Sequence, residues 1–140
     1  MTKIESTDIK ETKECSPREM VVEEAKYYIG LEYIIGGANP DIWKGFDCSG
    51  FVQYVFARCG HDIPRTSHEQ YLELYTRDLY TDEFESNEPK IGSILFNKSK
   101  SHVGIYIGNK EYIHAPHVGE KVKISKLEGS NMCMSIDILG

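Results

Sequence analysis

The sequence predicts an α+β domain in which N-terminal helices pack on an antiparallel β-sheet. Three observations lead there. Capped, helix-periodic segments lie between residues 16 and 75, and short runs rich in β-branched and aromatic residues fill the chain from Ile91 onward. No strand alternates with a helix, as a parallel sheet would require. With 140 residues, 40% of them hydrophobic and 11% aromatic, the chain suits one domain burying roughly two-thirds of its unfolded surface.

Residues 1–15 are charged and aperiodic and are expected to form a flexible arm or a strand-like lead-in, leaving 16–140 as the single folded domain. "SPREMVVEEAKYYIG" sets Ser16 as N-cap, Pro17 at the first helical position, Glu19 to complete a capping box and Gly30 as a stop, which predicts a helix over 17–29. The stretch 36–47, "GGANPDIWKGFD", reads as a loop that delivers the chain to Cys48. Phe51, Val52, Val55, Phe56 and Cys59 then recur at helical spacing until Gly60. Thr66 with Glu69 offers a second capping box for a helix from Ser67 to about Tyr75, and acidic residues in 82–88 predict a surface connection. Beyond it "GSILF", "HVGIYIG", "EYIHA" and "KVKIS", parted by turn signals, predict an antiparallel meander.

Charge and cysteine usage narrow the function. Lys+Arg 16 against Asp+Glu 22 leaves a formal charge of −6, and no basic cluster with interleaved aromatics is present, so no nucleic-acid partner is expected. Apolar runs are too short to span a bilayer, and the polar start lacks the apolar core of a secretory signal. Cys15, Cys48, Cys59 and Cys133 form no C-x-x-C pair, so neither a zinc site nor any other cofactor is expected; nothing in their spacing supports a disulfide framework.

Cys48 carries the chemical question. A lone cysteine beside an aromatic helix is commonly a small buried hydrophobe. Here a Gly-rich loop precedes it and Ser49-Gly50 follow, a small-residue setting that suits close approach of a substrate more than packing. The first turn of a helix also favours a thiolate, because its backbone N–H groups are unpaired. A thiol nucleophile needs a histidine base oriented by a third polar group. His102 opens one strand and His114 lies near the end of the next. A turn at Gly108-Asn109 pairs positions summing to 217, which brings the two imidazoles close but on alternate faces unless a bulge shifts the register. His61, His68 and His117 read as structural or surface residues, Cys59 as core, Cys15 and Cys133 as bystanders. Of nine tyrosines, Tyr33 is the one placed to reach the Cys48 site.

"YIIGG" at 33–37, "GFDCSGFVQYVF" at 45–56, "IPRTSHEQ" at 63–70, "IGSILF" at 91–96 and "HVGIYIGNKEYIHA" at 102–115 together resemble the NlpC/P60 family of cysteine peptidases, in order and over about residues 20–127. The resemblance implies a papain-like fold and hydrolysis of peptidoglycan stem peptides, commonly between γ-linked D-glutamate and the diamino acid that follows. It implies Cys48 as nucleophile, His102 as base and His114 as the residue that orients it, with Tyr33, Asp47 and Ser49 lining the substrate site. No metal is implied, and the expected partner is peptidoglycan or its muropeptides, met by a monomer. Such a protein acts at the bacterial wall after export or release, or on muropeptides in the cytoplasm. Two positions depart from the family pattern: Ser93 stands where an aspartate is usual, and Ile35 where an aromatic residue precedes the Gly-Gly pair.

Two other readings carry different consequences. An amidase or acyltransferase with the same thiol chemistry would act on lipid or protein substrates, and transfer would add an acyl group where hydrolysis adds water. A binding module that had lost its activity would hold an unreactive Cys48.

Overall fold

The computed structural model describes residues 15–77, 81–83 and 88–139. Of the predicted arm only Cys15 falls within them, and of the acidic connection residues 84–87 lie outside. Among the described residues, four helices, α1 (Pro17–Tyr27), α2 (Pro40–Trp43), α3 (Cys48–Arg58) and α4 (Ser67–Arg77), are joined by eight strands. These are β1 (Glu32–Tyr33), β2 (Gly45–Phe46), β3 (Thr81–Glu83), β4 (Ile94–Asn97), β5 (Val103–Gly108), β6 (Glu111–His114), β7 (Lys123–Lys126) and β8 (Met132–Ile136). The α+β class is as the sequence predicts.

The predicted capping box is formed in full at α1, with Ser16 Oγ accepting from the Glu19 amide and Glu19 accepting from the Ser16 amide. The helix ends two residues earlier than Gly30 suggested, because the Tyr28 amide already closes a tighter final turn. The predicted loop 36–47 is more ordered than its composition implies. Asn39 caps α2, Lys44 turns left-handed (φ 63°), and Gly45–Phe46 pairs in parallel with β1.

Strands β4 to β7 form the predicted meander, but β3 and β8 of the same sheet were not foreseen, nor was the β1–β2 pair. The sheet order is β3-β8-β4-β5-β6-β7, with every pairing antiparallel, so β8 returns to insert between β3 and β4. Part of the acidic connection is therefore strand: Thr81–Glu83 is the edge that β8 pairs. Alternation along the strands splits the core. Ile94, Phe96, Val103, Ile105, Ile113 and Ile136 join the cluster built with α1 and α3, whereas Leu95, Tyr106, Tyr112 and Met132 pack together in a second cluster. Tyr28, Phe46, Phe51 and Tyr54 meet mostly edge-to-face at 5.4–5.7 Å, contacts worth about 1 kcal/mol each beyond their burial.

The chain's two described ends are tied by one ion pair. Arg18 donates to both carboxylate oxygens of Asp137 at 3.1 and 2.7 Å and to the Ile91 carbonyl at 2.8 Å. Burial raises the Asp137 pKa, but the Arg18 fork and the Leu139 amide outweigh it and hold the carboxyl below its ordinary value. Asp137→Asn should cost about 1.5–3 kcal/mol, lowering Tm by roughly 5–10 °C, because it leaves a half-buried guanidinium facing a neutral amide. The contribution is present above the ordinary carboxyl pKa and is lost as pH falls through the lowered one. Thermal melts of the variant at pH 7 and pH 3 check both statements, since the gap between variant and native protein should shrink in acid.

Candidate active site

Each residue of "DCSG" has a physical task at the start of α3. Asp47 is the N-cap, with extended backbone (φ −90°, ψ −179°) and Oδ1 accepting from the Gly50 amide at 2.7 Å. Cys48 is therefore the first helical residue, and the amides of Cys48 and Ser49 both lie against its sulfur. Ser49 is buried and its Oγ accepts from Arg65 at 3.0 Å. Gly50 passes so close to the loop before α2 that a Cβ there would sit 2.0 Å from the Gly37 carbonyl, a clash no side chain can relieve.

The "IPRTSHEQ" segment braces that turn. Arg65 spans Asp47 Oδ2 at 2.8 Å and the Ser49 hydroxyl, while the buried Gln70 side chain donates to the carbonyls of Ser49 (3.1 Å) and Pro64 (2.9 Å). Asp47 and Ser49, expected to line the substrate site, thus both hold partners within the protein. Tyr33 is fixed from two sides: its backbone pairs with Phe46 in β2, and its amide donates to the Glu120 carbonyl at 3.0 Å. Its hydroxyl lies within reach of the Cys48 amide, where burial, the Cys48 sulfur and Asp47 raise its pKa.

The histidines reach the site from the sheet. Asn97, ending β4, accepts from the amides of Ser101 (2.9 Å) and His102 (3.1 Å), which pins the loop entering β5. That loop borders the thiol: Cys48 Sγ lies 3.9 Å from the Ser101 carbonyl and meets the Val103 amide. His102 Nε2 and His114 Nδ1 are 2.7 Å apart, and His114 Nε2 is 2.8 Å from Ser125 Oγ in β7.

A register shift makes this contact possible. The turn falls at Asn109-Lys110, both left-handed (φ 53° and 60°), not at Gly108-Asn109 as predicted, so Gly108 pairs with Glu111, a sum of 219, and an irregularity between Tyr106 and Gly108 then shifts the register to Ile105–Ile113 and Tyr106–Tyr112, a sum of 218. One extra residue places Gly104 opposite His114, and His102 becomes its diagonal neighbour on the same face. Gly104 must stay bare, since a Cβ would come within 2.9 Å of the Tyr112 ring and 3.2 Å of the His114 Cβ.

The electrostatics differ from the helix-terminus expectation. Burial, followed by the Asp47 carboxylate, raises the Cys48 pKa, and the amides of Val103, Ser49 and Cys48 only partly offset this. Burial and then His117 lower His102 to about 4. Burial, His102, Lys123 and His117 lower His114 to about 3. At neutral pH the resting site is thus a thiol beside two uncharged imidazoles.

Of the other residues weighed, Cys59 packs against the main core, Cys15 is exposed, His68 is exposed and His61 stacks edge-on to Phe56. His117 is exposed, as expected, yet stands close enough to bias both site histidines. Ile35 is 75% exposed and Ser93 is buried. Sequence reasoning missed Arg65, Asn97 and Ser125; only Arg65 carried a signal, by its place in the "IPRTSHEQ" block. Among the described residues no helix is long and apolar enough to cross a membrane.

The family model described as NlpC/P60 matches residues 30–136. A probable endopeptidase p60 of Listeria monocytogenes is 37% identical over 113 residues, covering 79% of this chain and 21% of the relative. A gamma-DL-glutamyl hydrolase of Bacillus subtilis is 38% identical over 108 residues, 76% of this chain and 25% of the relative. The chain therefore spans about a fifth to a quarter of the length of these two relatives. Among solved structures, the NlpC/p60 domain of the peptidoglycan hydrolase SagA superposes with a TM-score of 0.73 at 33% identity, covering 86% of this chain and 98% of that one.

Proposed function

The chain belongs to the NlpC/P60 family, and from that membership we propose that residues 16–140 form a cysteine peptidase domain that cuts peptidoglycan stem peptides between γ-linked D-glutamate and the following diamino acid. The observation that carries the reading is the Cys48 thiol at the first position of α3, bordered by the loop of a histidine whose far nitrogen is engaged by a second histidine.

His102 Nδ1, the nitrogen that His114 does not engage, takes the thiol proton as sulfur attacks the scissile carbonyl. Burial opposes either charge singly, but thiolate and imidazolium form together and stabilise one another. The carbonyl oxygen becomes an oxyanion held by the Cys48 amide and the Tyr33 hydroxyl, each donor worth roughly a hundredfold or more in rate. The intermediate collapses with cleavage of the C–N bond, and His102 returns its proton to the leaving amine. Water, deprotonated by His102, then frees the D-glutamyl carboxylate and restores the thiol. The name of the Bacillus subtilis relative supports the γ-DL bond as the target.

Mass spectrometry of muropeptides and of protein-derived peptides after incubation with the protein tests this. The expected products end at D-glutamate and gain the mass of one water per cut. Cleavage confined to ordinary α-peptides, or products carrying an added acyl group, would overturn the reading.

A further inference from the structure

We propose that Ser125 is a positioning residue, one place beyond the His102–His114 pair, whose hydroxyl oxygen holds His114 as the tautomer protonated on Nε2. The inference rests on the peptidase reading above and extends it to the atom that orders the pair.

For His102 Nδ1 to accept from Cys48, the resting His102 must carry its hydrogen on Nε2. That N–H points at His114 Nδ1 across 2.7 Å, so His114 Nδ1 must be bare and its hydrogen must reside on Nε2. The Nε2–H then needs an acceptor, and Ser125 Oγ lies 2.8 Å from it. Once His102 becomes an imidazolium both its nitrogens donate, and the same arrangement is the one that still satisfies every bond. The thiol proton goes to His102 Nδ1, and His114 changes neither charge nor proton count.

The sheet supplies the geometry. Ser125 pairs with Tyr112 across β6 and β7, and His114 pairs with Lys123, so Ser125 and His114 are diagonal neighbours on one face. The groups facing His114 are His102, the Tyr112 ring at 4.5 Å, Lys123 and His117. An ammonium has no lone pair to offer, so Lys123 cannot replace the serine as acceptor. A hydroxyl also keeps His114 neutral, where a carboxylate in its place would favour the imidazolium and remove the lone pair that His102 needs.

The reverse arrangement, with Ser125 donating to Nε2, would put a hydrogen on His102 Nδ1 and block the thiol. The two states differ in which ring nitrogens carry hydrogen, and nitrogen NMR of ¹⁵N-histidine-labelled protein reads that directly in the resting enzyme, without substrate. The expected spectrum at pH 7 shows His114 protonated on Nε2 in native protein. In Ser125→Ala a second tautomer appears, kcat falls roughly threefold to tenfold with KM little changed, and the acid limb of the pH profile moves; Ser125→Thr, which keeps the oxygen, restores all three. His114 protonated on Nδ1 in the native protein, or a Ser125→Ala spectrum and pH profile identical to native, would overturn the assignment. Absence of cleavage by the native protein would sink the peptidase reading instead, while the tautomer measurement would still decide the role of Ser125 in ordering His114.

Discussion

Cys48→Ala should reduce cleavage of muropeptides to background, a fall of roughly a millionfold if the nucleophile acts as in other covalent peptidases, and should leave the fold in place. The fold survives because Cys48 is only half-buried and occupies the first position of α3, where alanine is a good helix former and Asp47 still caps the turn. Far-ultraviolet circular dichroism and a thermal melt confirm the fold; product masses measure the loss. The decisive contrast is Cys59→Ala, which removes a thiol packed against the core and should keep its activity. Turnover by Cys48→Ala with the native products would end the thiol mechanism.

The second large effect belongs to His102. Its replacement by alanine removes the proposed base for the thiol proton, which is also the proposed acid for the leaving amine, and the rate should fall by roughly 10²–10⁴. Alkylation of Cys48 should slow in parallel, because its raised pKa leaves little thiolate unless the imidazole accepts the proton. The same substitution has a second readout. His102 folds with its pKa near 4 against an ordinary 6.5, so between those values the unfolded chain binds a proton that the folded chain does not. Native stability is therefore full above pH 6.5 and declines as pH falls toward 4, and His114, held near 3, continues the decline. His102→Ala should flatten the fall of Tm between pH 6.5 and 4. An unchanged Tm profile would mean that folding leaves the His102 pKa near its ordinary value, which would overturn the lowering by burial.

Ranking these two above the Asp137→Asn effect follows from where each acts. Asp137 joins α1 to the chain beyond β8 and lies outside the site, so its loss lowers stability while leaving turnover at moderate temperature near native. Cys48 and His102, in the roles proposed for them, would act on the reacting bond, where each increment added to the barrier divides the rate.

Much of the domain was legible from local signals. The Ser16–Glu19 box, the apolar stripe of α3 and the four-strand meander are short-range patterns, and each element needs only its own neighbours to declare itself. The same holds for the site's components: Cys48, His102, His114 and Tyr33 stood out by their flanks and order. What escaped were long-range pairings. The return of β8 beside β4, and the strand at Thr81–Glu83 that it creates, have no local signature, because a strand's partner is chosen by what remains uncovered in the sheet.

Local signals were enough to give the α+β class, the place of Cys48 at a helix start and the ordered motifs of the family. These rest on backbone preferences and periodicity, which act over a few residues. The alignment and charge of the site came from long-range packing. A one-residue irregularity before Gly108 turned His102 and His114 onto one face, because side chains alternate with a period of two and a single inserted residue reverses them. Burial beside Asp47 left Cys48 a neutral thiol, because removing water costs a charge more than the helix amides return.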